Sequence, residues 1–98
     1  MKRPEDCMTM ADIRAEIDRL DEALVAMFAE RTAYIDRAAA IKEQVGLPAR
    51  IDDRVEQVVA NVRRHAEAQG LPPDKLEKLW RKLIDWSIER EEDHLRKG

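Results

Sequence analysis

From Ile13 onward, apolar residues return every three or four positions: Ile13, Ile17, Leu20, Leu24, Met27 and Phe28, then Ile35, Ala38, Ile41 and Val45. That spacing is the period of one helical face, sustained over many turns. No Pro or Gly interrupts the chain from Met10 to Val45. Thr9 suits the N-cap, with Asp12 three residues on as its reciprocal partner. Gly46 and Pro48 end the helix, the one as a C-terminal glycine and the other because proline cannot continue it. A second apolar set, Val55, Val58, Val59 and Val62, follows Asp52 and Asp53 and closes at Gly70. Pro72 and Pro73 then supply the fixed φ favoured at a helix start. Leu76, Leu79, Trp80, Leu83, Ile84, Trp86 and Ile88 carry a third helix towards Leu95, with both tryptophans expected as core anchors. Strand-like alternation, internal repeats and low-complexity tracts are missing. The pattern predicts an all-α fold of three helices, one long, one short and one medium, over about residues 9–46, 52–69 and 73–96. Residues 1–8 are expected as an extended lead-in, and 1–98 as a single domain.

The first helix is long for so small a chain. At about 1.5 Å per residue it extends roughly 55 Å, against a radius of gyration near ~13 Å for a compact monomer of this size. Such a helix must project into solvent or pack against a second copy. A plain coiled-coil rod is the simpler alternative. However, zippers prefer large aliphatics at the seam, and residues 37–40 are mostly Ala, which permits close approach or leaves room for a pocket. Two further helices would also have no purpose on a zipper.

Charge narrows the possible partners. Charged residues make up 40% of the 98 residues, yet the net charge is only -3. A mixed, slightly acidic chain lacks the basic footprint of a nucleic-acid binder. Cys7 is the only cysteine and is expected to be inert, and His65 and His94 lack paired ligand spacing, so no metal site is expected. No apolar run reaches transmembrane length and no signal-peptide core opens the chain. These features point to a soluble, cytoplasmic protein with no membrane partner.

Three cations stand out along the long helix: Arg14, Arg31 and Lys42. Arg31 and Lys42 differ by only ~20° around the axis and lie some 16 Å apart along it, so both can lean into one pocket. Arg14 is roughly 25 Å from Arg31 and about 100° off its face. It can serve that pocket only from a partner helix lying antiparallel. The default for the other cations, Arg19, Arg37, Arg63, Arg64 and Arg81, is a solvated surface. Arg54 is placed to pair with Asp52 and Asp53 or to join the site. Ser87 and Glu91 share one face of the third helix, although the acidic run 89–93 makes exposure the default for Glu91.

With these residues in view, the chain resembles the all-helical AroQ class of chorismate mutases over nearly its whole length. The resemblance is carried by Ile13-Arg14-Ala15-Glu16-Ile17-Asp18-Arg19-Leu20-Asp21, Ala29-Glu30-Arg31, Ile41-Lys42, the loop to Arg54, and Ser87 with Glu91. The opening Pro4-Glu5-Asp6-Cys7 and Ala11-Asp12-Ile13-Arg14 resemble a subgroup that includes isochorismate–pyruvate lyases, which make salicylate. The resemblance implies an intertwined homodimer with antiparallel long helices and two equivalent sites. It implies that Arg14 of the partner subunit and Arg31 bind the two substrate carboxylates. Lys42 is then expected at the ether oxygen and a carboxylate, Arg54 at the carboxylate end, and Glu91 as a hydrogen-bond donor to the ether oxygen. Ser87 is counted among the substrate-binding residues.

The implied reaction, chorismate to prephenate in aromatic amino-acid synthesis, is pericyclic and needs no nucleophile, metal or cofactor. An enzyme gains by orienting the side chain over the ring and by stabilising charge growing on the ether oxygen. Arginine suits a carboxylate through its fork, and lysine a single oxygen as a point charge. Three positions depart from the common bacterial pattern. Position 91 is Glu rather than Gln, and a glutamate donates only when protonated. Ile51 and Val55 are apolar where acids commonly receive the ring hydroxyl, as is also true of the lyase subgroup. The alternative reading is therefore an isochorismate–pyruvate lyase, and a third is a non-catalytic helical dimerisation module.

Overall fold

The structure, a computed structural model, describes residues 1–97. Its order is a one-turn 3-10 helix Pro4–Asp6, then α1 (Met10–Val45), α2 (Asp52–Ala68) and α3 (Pro73–Lys97), with no strand among the described residues. The described chain divides into two compact units, Met1–Ala33 and the residues from Tyr34 onward, and the border falls inside α1.

In the first unit the lead-in is not wholly extended, as the sequence led us to expect. Pro4 supplies the helical φ at the first position and two acids follow it in the first turn, so a single 3-10 turn forms and closes with Cys7 N–H to Pro4 O at 3.2 Å. Thr9 caps α1: its hydroxyl accepts the Asp12 N–H at 3.1 Å. The return bond runs one residue further out than in a standard capping box, from Met8 N–H to the Asp12 carboxylate at 3.0 Å. That bond, helped by Lys2, holds the Asp12 carboxyl below the usual carboxylate range. The apolar stripe that defined this part of the helix lies open. Ile17, Leu20 and Leu24 are about half exposed, and Met27 is 64% exposed.

The second unit holds the core. α1 ends in a Schellman turn, with Gly46 at φ 76° and Leu47 N–H donating to Lys42 O at 2.9 Å. α2 ends the same way, with Gly70 at φ 72° and Leu71 N–H donating to Ala66 O at 2.8 Å. α2 buries Val55, Val59, Val62 and Ala66, and α3 buries Ile84, Ser87, Ile88 and Glu91. Both sets recur at helical spacing, so α2 and α3 pack along facing stripes. Ala49 of the α1–α2 loop joins Val55, Val59, Ile84 and Ile88 in the apolar cluster, against which Val58, Trp80 and Leu95 pack. Trp86 is not a core anchor: it is 47% exposed, because the buried α3 stripe runs through Ile84, Ser87, Ile88 and Glu91, away from its side of the helix. Outside the cluster, Arg63 bridges Asp74 and Glu77, and Arg81 bridges Glu77 and Glu56, tying α2 to α3. These arginines are on the surface, as the sequence suggested, yet they form a network that local spacing did not reveal.

Candidate functional site

Lys42 is placed by the end of its own helix. Its backbone carbonyl closes the Schellman turn, and its ammonium crosses the same loop to donate to Ala49 O at 2.7 Å. One residue thus staples the turn from both ends, which fixes the position of Nζ. The side chain is 18% exposed, so the charge is largely withdrawn from water.

Glu91 meets it from α3. Its Oε1 lies 2.7 Å from Lys42 Nζ, and the carboxyl is nearly buried. The same Oε1 has no hydrogen bond among the described residues. The approach is therefore a charge contact that misses hydrogen-bond alignment. A buried carboxylate oxygen in that state is costly unless something completes it. The acidic run around Glu91 pointed to exposure, and the structure overturns that: at i+7 from Ile84, position 91 lies on the buried stripe of α3 whatever its neighbours are.

Ser87, one turn before Glu91, is buried too, and its hydroxyl donates to Leu83 O at 2.9 Å. A buried helix face thus carries two polar groups, Ser87 and Glu91, between apolar ones. Arg54 is exposed in the first turn of α2 and donates to Gln57 Oε1 at 2.6 Å. Asp52, offered by the sequence as a partner for Arg54, is instead bridged by Arg50 at 3.0 Å. Ile51 is the α2 N-cap and contributes no side-chain bond there, while Val55 is buried in the core cluster. Neither offers an acceptor. In the first unit Arg14 is exposed and Arg31 is half-buried.

The sequence missed two further pairs. Arg90 of α3 grips Asp36 of α1 through both carboxylate oxygens, at 2.6 and 3.0 Å. His94 of α3 meets Glu43 of α1 at 3.1 Å. Residues more than fifty positions apart leave no local signal of such pairing. The Arg90 guanidinium holds the Asp36 carboxyl below its ordinary value.

Chemically, a fixed ammonium and a buried carboxyl converge, and the Ser87 hydroxyl one turn before Glu91 is bonded back into its helix. An ammonium has three donors, and the Ala49 carbonyl takes one of them. Such a pair can hold a polar oxygen of a ligand and stabilise negative charge growing on it.

Comparison with known proteins adds to this picture. A family model described as chorismate mutase type II matches residues 13–92. The isochorismate pyruvate lyase of Pseudomonas aeruginosa is 37% identical over 89 residues, covering 90% of this chain and 86% of that protein. The T-protein of Enterobacter agglomerans is 33% identical over 81 residues, and the chain spans only 22% of its length. The chorismate mutase of Methanocaldococcus jannaschii is 26% identical over 76 residues, covering 77% of that protein.

Proposed function

We propose, from the premise that the chain belongs to the chorismate mutase type II family, that it is a chorismate mutase converting chorismate to prephenate. The observation that carries this reading is the buried Lys42–Glu91 pair, 2.7 Å apart and spanning α1 and α3. In the proposed mechanism the substrate C–O bond breaks as the new C–C bond forms, and negative charge grows on the ether oxygen. Lys42 stabilises that charge as a point cation. Glu91, when protonated, donates a hydrogen bond to the same oxygen, which gives its unbonded Oε1 a partner. Arg31 takes one substrate carboxylate through its fork, and Arg54 supports the carboxylate end. Binding in this way holds the substrate folded, which supplies the orientational gain.

The second carboxylate falls to Arg14 of a partner subunit in an intertwined homodimer. The exposed apolar residues of α1 support a second copy as cover, since Ile17, Leu20, Leu24 and Met27 recur on one helical face. No helix among the described residues is long and apolar enough to cross a membrane, so that stripe is not a membrane span.

A second reading is an isochorismate–pyruvate lyase. It is favoured by the Pseudomonas relative, which the chain matches over 86% of its length, and by apolar Ile51 and Val55. One assay decides. Purified protein is given chorismate and, separately, isochorismate, and prephenate, salicylate and pyruvate are followed. Prephenate as the main product is expected. Dominant salicylate replaces the first reading with the second, and neither product defeats both.

A further inference from the structure

Within the second unit, α1 has a single buried residue, Ala39, and contributes nothing to the apolar cluster formed by the loop, α2 and α3. Ala39 with the partly buried Ile35, Ala38 and Ala40 is a mostly small-residue surface, which sets the axial position and rotation of one helix against another only loosely. The Lys42–Glu91 contact cannot supply that register either, because Oε1 has the distance but not the alignment of a hydrogen bond. Two polar pairs flank it instead. Asp36 precedes Lys42 on α1 and holds Arg90, the residue before Glu91 on α3. Glu43 follows Lys42 and meets His94, three residues after Glu91. The Arg90–Asp36 contact is a two-bond fork, which fixes orientation as well as distance.

We propose that Asp36 and Arg90 are positioning residues, which set the register of α3 against α1 so that Glu91 meets Lys42 at the reacting oxygen. The proposal rests on the roles given to Lys42 and Glu91 above. Both members of the fork are about half exposed, so their loss costs little global stability. Their effect on turnover is larger, because a misplacement of about 1 Å in a catalytic group can slow a reaction as much as 10²-fold.

The test measures kcat, KM and Tm for Asp36→Asn, Arg90→Gln and the exchanged pair Asp36→Arg/Arg90→Asp, with Glu91→Ala as reference. The assay uses whichever of chorismate or isochorismate the unaltered protein turns over. Each single variant is expected to lose about tenfold in kcat with KM within about twofold, since the substrate carboxylates are held elsewhere. Tm should barely move, and the exchanged pair should regain most of the lost turnover. Arg90→Lys, which keeps the charge without the fork, should fall between and covers the case of a poorly folding variant. Unchanged kcat in Asp36→Asn and Arg90→Gln, with Glu91→Ala impaired, overturns the positioning role alone. A kcat loss that merely follows a fall in Tm and is not rescued by exchange also overturns it. Unimpaired Glu91→Ala removes the catalytic reading and the positioning proposal with it.

Discussion

The first part of α1 and the α2–α3 pair carry apolar stripes of the same helical period, with opposite fates. Val55, Val59, Ile84 and Ile88 are 8% exposed or less, whereas Ile17, Leu20, Leu24 and Met27 are 49% or more. Periodicity specifies a helix and the face that seeks cover. It does not specify what covers it. The α2 and α3 stripes cover each other within one chain, while the α1 stripe is matched, in our proposal, by a second copy.

That contrast can be broken most severely at the site. Arg31→Ala should remove essentially all activity, by about 10²-fold or more, because a bound substrate carboxylate loses its partner. Steady-state assay of purified variant measures this, and undiminished turnover would sink the assignment of Arg31.

The next largest effect separates the two stripes. Ile84→Ala should cost about 2–5 kcal/mol by denaturant unfolding, at any protein concentration, as expected for a filled core position. Leu24→Asp should instead weaken association, so that sedimentation shows a smaller species and the concentration dependence of stability expected of the unaltered dimer is lost. If Leu24→Asp leaves the oligomeric state unchanged, the stripe is covered by something other than a second copy.

Glu91→Gln sharpens the comparison between α3's buried polar and apolar positions. With Glu91 as a hydrogen-bond donor to the ether oxygen, Gln, whose amide always carries donors, should be tolerated, whereas Glu91→Ala should lose most activity. A loss in Glu91→Gln as large as in Glu91→Ala, by steady-state assay of both variants, would remove that role.

The smallest effect is expected at the surface network. Arg63 and Arg81 hold the Glu77 carboxyl below its ordinary value, Arg81 contributing most. A lowered carboxyl stabilises the fold fully above its ordinary range and loses that contribution as pH falls through the lowered value. Glu77→Gln should therefore lower Tm slightly near neutrality, with the difference from the unaltered protein vanishing in acid. A difference that grows in acid would contradict the sign.

The legible parts of the molecule were those with local causes. Helix ends came from Thr9, Gly46, Gly70 and Pro73, whose effects act within one turn. Lys42 was singled out by its phase on the long helix and Glu91 by the face it shares with Ser87. Family resemblance supplied their expected roles, and the structure gives them a shared contact. The features that escaped depend on tertiary partners. Trp86 is exposed because α3 presents another face to α2, and the Asp36–Arg90 fork joins distant segments. Burial of Glu91 is intermediate. Helical phase from Ile84 signals it, but the acidic composition around it points the other way.

The central claim is that two chains build each site, and a mixed dimer tests it most directly. Arg14→Ala and Arg31→Ala proteins, each inactive alone, are unfolded together, refolded and assayed. In the proposed arrangement half of the dimers are mixed and each mixed dimer has one intact site, so about a quarter of the unaltered activity should return. No recovery, with mixed dimers shown to have formed, would contradict a site shared between subunits.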